Sequence, residues 1–244
     1  MNPIDEFLLE KEQRVNAYPN NKELQTISKD FLRITGKTKY SYNFSWMGRP
    51  IIQYPQDIIA MQEIIWEVKP DLIIETGIAH GGSIIFSASM LELLGGDRKV
   101  LGLDIDIRAH NRKEIEAHPM YKRITMLEGD STSSDIAKKV YNIAKNYDKI
   151  LVFLDSNHTE EHVTKELELY APLVSPGSYC VVFDTAIEDV PEDMSSKRTW
   201  GKGNNPKTAV WKFLKTHSEF VIDKNIENKL LVTVAPDGYL KRNI

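Results

Sequence analysis

The sequence is poor in the features that would assign it to several large classes. Cys180 is its only cysteine, so this chain can build neither an intramolecular disulfide nor a thiolate zinc site. That thiol lies in "YCVVF", among strand-forming residues, and is expected to pack rather than react. No apolar run approaches the roughly 18 residues of a membrane-spanning helix. The opening "MNPIDEFLLEKEQR" is acidic and lacks the basic-then-apolar order of a signal peptide. A cytoplasmic protein with no membrane partner is expected. The formal net charge of −4 comes without a basic block or interleaved aromatics, which removes the usual grounds for a nucleic-acid partner. Repeats and low-complexity tracts are missing as well.

What is present is a regular alternation. The 244 residues, 41% hydrophobic and 27% charged, suffice for one α/β domain with a short extension. "DLIIETG" (71–77), "VLGLDID" (100–106), "ITMLEGD" (124–130), "KILVFLD" (149–155) and "SYCVVFD" (178–184) are short, β-rich and almost continuously apolar, as strands covered on both faces are. Helical spacing fills the gaps at 83–94, about 108–117, 133–146, 160–171 and 206–216. This βαβ alternation predicts a parallel sheet. At the end, "FVIDKNI", the turn-like "ENK" and "LLVTVAPDGYL" leave no room for a crossover helix, so an antiparallel hairpin at one sheet edge is expected. Five parallel strands plus that hairpin resemble the seven-stranded, Rossmann-like sheet of class I S-adenosylmethionine (SAM) methyltransferases. Residues 1–60 read as a helical extension and a lid-like loop, and 61–244 as the SAM methyltransferase-like domain.

The first strand runs into a turn containing Gly77, Gly81 and Gly82. Backbone without Cβ at the carboxyl edge of a parallel sheet lets a ligand come close. The spacing is E-x-G-x-x-x-G, not the G-x-G-x-x-G of dinucleotide sites. It resembles the first motif of SAM enzymes, and a purely structural tight turn is the competing reading. On the cofactor reading Glu75, Gly77, His80, Gly81 and Ser83 belong to the site, with His80 shaping the turn rather than catalysing. At the second strand end Asp104 can accept hydrogen bonds from both ribose hydroxyls, while Asp106 serves equally well as a cap for the next helix. "LEGDS" puts Gly129, Asp130 and Ser131 where the adenine edge usually lies in such sites.

The fourth and fifth strand ends bring Asp155 and His158, in "FLDSNHTEEHV", near Asp184, in "VVFDTAIED". Two carboxylates from neighbouring strands suit Mg²⁺ far better than zinc. Each residue also has a plain structural reading: Asp155 as a helix cap, His158 as packing, Asp184 as a loop anchor. Glu160, Glu161 and His162 read as a solvated first helical turn.

"WMGRPIIQYPQD", "ETGIAHGGS", "LDID", "GDS", "LDSNHTEEHV" and "WGKGNNPKTAV", in that order from about Asn43 to Leu214, resemble the cephalosporin hydroxylase family, a historical label for proteins with a SAM methyltransferase fold. Related members include macrolide-sugar and rhamnosyl O-methyltransferases. The resemblance implies that Asp155 and Asp184 are Mg²⁺ ligands, that Asp155 also borders the cofactor, and that His158 is the catalytic base. It implies a mobile substrate-side segment at "SSKRTWGKGNNP", with Trp200 its one large aromatic. One departure stands out: the family commonly has an acidic pair at the fifth strand end, and here Phe183 precedes Asp184. Glu188 or Asp189 is a possible substitute. The implied activity is SAM-dependent transfer of a methyl group to a hydroxyl of a small polar acceptor, a sugar or glycoside, with Mg²⁺ assistance. Two other readings remain: a hydroxylase, as the label says, although an iron oxygenase wants two histidines beside a carboxylate, and a non-catalytic SAM-binding subunit, which Phe183 favours. Phe44, Trp46 and Tyr54 suit either a lid or the interface of a homo-oligomer.

Overall fold

Asparagines start the first two helices. Asn2 accepts from the backbone N–H of Ile4 and Asp5 ahead of α1 (Pro3–Ala17), and Asn21 from that of Leu24 ahead of α2 (Lys22–Lys37). A two-stranded hairpin, β1 (Phe44–Trp46) and β2 (Arg49–Ile51), and helix α3 (Pro55–Val68) follow. The computed structural model describes residues 1–191 and 198–243. A boundary at residue 60 falls inside α3, whose Ala60, Met61, Ile64 and Ile65 are buried in the main core. By contrast α1 buries none of its residues.

The five expected parallel strands are β3 (Leu72–Thr76), β4 (Lys99–Asp104), β5 (Ile124–Glu128), β6 (Ile150–Leu154) and β7 (Tyr179–Val182). They stand in the order β5-β4-β3-β6-β7, all parallel. Helices α4 (Gly82–Leu94), α5 (Ala109–Glu116), α6 (Ser134–Ala144) and α7 (Glu160–Tyr170) make the connections. Alternate residues of each strand enter opposite layers. Ile73 and Phe153 pack with Ile64 and Phe86 on one side, and Leu72, Ile74 and Val152 with Val140 and Leu167 on the other. Two covered faces explain why β3, β4, β6 and β7 read as continuous apolar runs, whereas β5, at the sheet edge, buries only Ile124. The order reverses at β3, which has β4 on one side and β6 on the other, and the carboxyl ends of strands at such a reversal are where a crevice opens.

The chain closes with α8 (Pro206–Phe213), β8 (Phe220–Ile222), α9 (Lys224–Leu230) and β9 (Tyr239–Arg242). As expected, the last two strands pair antiparallel at the sheet edge, with β9 between β7 and β8. Their connection differs from the expected turn. "ENK" lies inside α9, capped by the Asp223 side chain, which accepts from Asn225 N–H. "LVTVA" is no strand, because the buried Asp57 of α3 claims it. Thr233 Oγ1 donates to Asp57, as do Val234 N–H at 3.1 Å and Tyr239 OH at 2.9 Å. No helix among the described residues is long and apolar enough to cross a membrane.

Candidate active site

The glycine turn after β3 is a meeting point for the chain itself. Gly77 has φ +90°, and a Cβ there would lie 2.0 Å from the Asp155 carbonyl oxygen; one at Gly82 would lie 2.1 Å from the Pro50 carbonyl oxygen. Gly81, at φ +87°, faces the Ile115 side chain. Bare backbone here therefore lets β6 and the β1–β2 hairpin close on the turn. Arg49 donates through Nε and Nη2 to the His80 carbonyl, at 3.0 and 2.7 Å, and through Nη2 to Asn111 Oδ1 at 2.9 Å. Asn111 Nδ2 donates to the Ala79 carbonyl. On the inner side, Asp104 Oδ2 accepts from Ile78 and Ala79 N–H, at 2.9 and 3.1 Å, so this acid pins the turn. Asp106 caps nothing: α5 starts after Arg108 without a side-chain cap.

Glu75 and Ser83 find each other behind the turn. The Glu75 carboxylate, 2% exposed, accepts from Ser83 Oγ and, at 3.4 Å, from Ser87 Oγ. Burial pushes its pKa from 4.5 up to about 7, against those two hydrogen bonds. A carboxyl whose folded pKa lies above its unfolded one favours the folded state while protonated. Its contribution is complete below about pH 4.5 and is lost as the pH rises through about 7. The shift corresponds to about 3 kcal/mol at most. Urea midpoints of the wild type are therefore expected to fall across that window, and those of Glu75→Gln to fall less. Identical slopes would show that Glu75 is ionised throughout.

Beyond the turn a cavity of about 360 Å³ is bordered by Gly77, His80, Asp155, His158, Asp184 and Trp200, among others. Asp155 leaves the end of β6, and Asp184 takes a left-handed backbone (φ 56°) just past β7. His158 Nε2 stands 3.3 Å from Asp184 Oδ2. One donor atom from each of Asp155, His158 and Asp184 lies within 4.8 Å of the others. The sequence reading had His158 outside the ligand set; the geometry brings it alongside. Thr159, not Asp155, caps α7. Gln53 Nε2 donates to Asp155 Oδ2 at 3.0 Å. The Asp155 carboxyl is held well above the usual range, first by burial and then by Asp184, Glu75, Glu166 and Asp57. Such a concentration of acids has too few cations, and a hard divalent cation or the positive charge of SAM answers that imbalance. The two carboxylates are the hard oxygen donors that Mg²⁺ prefers, and the imidazole beside them is left for another role.

Phe183 points into the core and meets Phe153 edge-on, with centroids 6.1 Å apart. A carboxylate at 183 on this backbone would enter that core. Neither suggested substitute reaches the acid cluster. Glu188 accepts from Gly203 N–H and Asn205 Nδ2, and Asp189 from Lys207 Nζ. Residues 195–197 of the segment read as substrate-side lie outside the described residues. Trp200 packs edge-on against His158, with centroids 4.7 Å apart, and the Arg198 guanidinium sits 4.3 Å above its ring.

The three residues read from the sequence as adenine-side divide. Gly129 (φ +148°) makes room for the Ile136 side chain. Asp130 is exposed, with Oδ1 taken by Thr132 N–H and Oγ1. These hydrogen bonds hold its carboxyl below the usual range. Ser131 is turned inward, its Oγ donating to Glu166 Oε1 at 2.6 Å. His162 is not a solvated residue either, since its Nε2 is 3.1 Å from the Oγ of both Ser131 and Ser156. Arg49, Gln53, Asp57, Asn111 and Glu166 received no role from the sequence. Three of them fall in "GRPIIQYPQD", so membership of that stretch was the available signal.

The family described as Rhamnosyl O-methyltransferase/CmcI is matched over residues 38–243, leaving α1 and α2 ahead of the match. A rhamnosyl O-methyltransferase of Mycobacterium tuberculosis (strain ATCC 25618 / H37Rv) is 32% identical over 206 residues, covering 82% of this chain and 78% of that protein. One of Mycobacterium leprae (strain TN) is 33% identical over 148 residues, covering 60% and 62%. Among solved structures, an apo-structure of CmcI is similar at a TM-score of 0.58 and 18% identity, covering 83% of this chain and 77% of that one. An O-methyltransferase from Bacillus cereus in complex with SAH is similar at 0.52 and 14%, covering 80% and 81%. At such identities the structural likeness is one of fold.

Proposed function

Because the chain belongs to the rhamnosyl O-methyltransferase/CmcI family, and is therefore a SAM-dependent O-methyltransferase, we propose that it methylates a hydroxyl of a sugar or glycoside at the Asp155–His158–Asp184 cluster. The observation that carries this reading is the convergence of those three donors beside the glycine turn in one cavity. The rhamnosyl relatives support a sugar-like acceptor. SAM is assigned to the turn at Gly77–Ser83 and the adjoining ends of β4 and β5.

Methyl transfer needs the acceptor oxygen, methyl carbon and sulfur in line, and the acceptor must lose its proton as the new bond forms. His158 is assigned that proton. Asp184 Oδ2, 3.3 Å from Nε2, lies close enough for its charge to favour the imidazolium that results. Trp200 packs against the imidazole and limits its movement. Asp155 and Asp184 would hold Mg²⁺, which when bound supplies Lewis acidity to a developing alkoxide. Gln53 keeps Asp155 in place, as outer partners of metal ligands do. The competing oxygenase reading asks for two imidazoles and one carboxylate, whereas among the described residues one imidazole and two carboxylates converge.

Incubation with SAM, Mg²⁺ and a panel of rhamnosides and other 6-deoxyhexosides tests the reading by product mass. A gain of one methylene is expected. A gain of one oxygen would make the protein a hydroxylase, and SAM binding with no product from any glycoside would favour a non-catalytic subunit. Asp155→Asn is expected to raise the half-saturating Mg²⁺ concentration by about tenfold or more. Full activity of the wild type after exhaustive chelation would show that the cluster works without metal.

A further inference from the structure

The buried carboxylate of Glu166 lies outside the chemistry assigned so far. It belongs to α7, is fully buried, and its Oε1 accepts from two serines on different strand-end loops. Ser131 Oγ, beyond β5, donates at 2.6 Å, and Ser156 Oγ, beyond β6, at 2.7 Å. His162, one helical turn earlier, puts Nε2 3.1 Å from each of the same hydroxyls and 3.4 Å from the same carboxylate oxygen. Tyr170, at the end of α7, donates its hydroxyl to the Ser131 carbonyl. Helix α7 thus grips Ser131 by its hydroxyl and its carbonyl, and grips Ser156 through the same carboxylate oxygen.

These two loops carry different halves of the reaction. Ser131 follows Gly129 and Asp130 on the adenine side. Ser156 follows Asp155 directly, precedes His158 by two residues, and lies against the cofactor turn: a Cβ at Gly77 would be 3.1 Å from the Ser156 Cα. A methyl donor seated on one loop and an acceptor oxygen on the other must hold a near-attack distance, and a displacement of about 1 Å can cost about 100-fold in rate. A surface linkage of two hydroxyls would fluctuate too freely for that purpose, whereas buried charge-assisted hydrogen bonds to one oxygen are stiff and mutually dependent.

We propose that Glu166, with His162, is a positioning residue that fixes the adenine-side loop to the base-side loop through the shared Oε1, so that cofactor seating and the placement of Asp155 and His158 are set together. The proposal rests on the methyltransferase reading of those two loops. It requires that Ser131 and Ser156 act as one unit, although they are 25 residues apart and neither bonds to the other.

A double-mutant cycle on SAM affinity, measured by calorimetry, tests it without a known acceptor. Ser131→Ala and Ser156→Ala are each expected to weaken SAM binding by about 3- to 10-fold, and the double variant to be no worse than the weaker single within about twofold, since either change already breaks the link. Glu166→Gln keeps an acceptor oxygen and is expected to retain most of the affinity, while Glu166→Ala should match the serine double variant. Losses that multiply in the double variant would mean independent loops and overturn the proposal, as would singles without effect. Each serine change deletes one hydroxyl, so the cycle remains decisive if Glu166→Ala fails to fold. Wild-type protein that gives no heat with SAM would defeat the methyltransferase reading itself, and the proposal with it.

Discussion

His158→Ala is expected to lower kcat by about 10²- to 10⁴-fold, the range for loss of a general base, while SAM affinity stays within about threefold. The imidazole touches Asp184 and Trp200, and neither lies on the glycine turn. An alcohol is far too weak an acid for imidazole to ionise it beforehand, so the base contributes during bond formation, and its removal should appear in kcat rather than in cofactor binding. Deleting the ring also frees Trp200 on one side, which Tm will register. His158→Gln, of similar length but without a basic nitrogen, separates the two effects: it should remain as slow as the alanine variant and recover its Tm. An alanine enzyme that is folded, binds SAM and turns over within tenfold of wild type would remove His158 from the chemistry.

Gly77→Ala is expected to weaken SAM binding by about 100-fold or more and to lower Tm. Two costs add at this position. A left-handed residue with a Cβ loses about 1–2 kcal/mol. The new methyl would also stand 2.0 Å from the Asp155 carbonyl oxygen and 2.6 Å from its carbon, about 1 Å closer than real contacts allow, with no rotamer to relieve it. The turn and the end of β6 must separate, which displaces the Ile78 and Ala79 amides from Asp104 and moves Asp155 together with them. Gly177→Ala is the control: φ is +75° there and nothing lies within 4 Å of a Cβ. It should reproduce the backbone strain and that part of the Tm loss, without touching SAM affinity. A Gly77→Ala protein that binds SAM within threefold of wild type would show that the turn does not seat the cofactor.

Four of the five parallel strands were legible because apolar β-forming runs with both faces covered leave an unambiguous mark, the edge strand β5 was legible from its β-rich composition alone, and Asp155, His158 and Asp184 were legible because each stands at or just past the carboxyl end of such a run. What the sequence conceals is which distant group claims a polar side chain. Ser131 looks like a loop hydroxyl free for a ligand, yet Glu166, 35 residues away, holds it inside. Glu75 looks like a cofactor acid, yet Ser83 and Ser87 take it from behind. "LVTVA" has strand composition, but Asp57, more than 170 residues earlier, draws Thr233 and Val234 into a loop. The direction of Phe183 was hidden for a related reason. Its loss of a carboxylate is visible in one dimension, while the fact that its ring completes a core against Phe153 needs the fold.

The cavity wall includes Leu32 and Gly36 of α2, and α2 lies ahead of the region matched by the family, which starts at residue 38. The residues assigned to the chemistry and part of the wall around them therefore come from two stretches of chain, one inside the family match and one ahead of it. Part of the cavity wall is thus open to revision with the β3–β7 strand ends left as they stand. Substitutions at Leu32 and Gly36 are accordingly expected to shift acceptor preference while asking nothing of Asp155, His158 or Asp184.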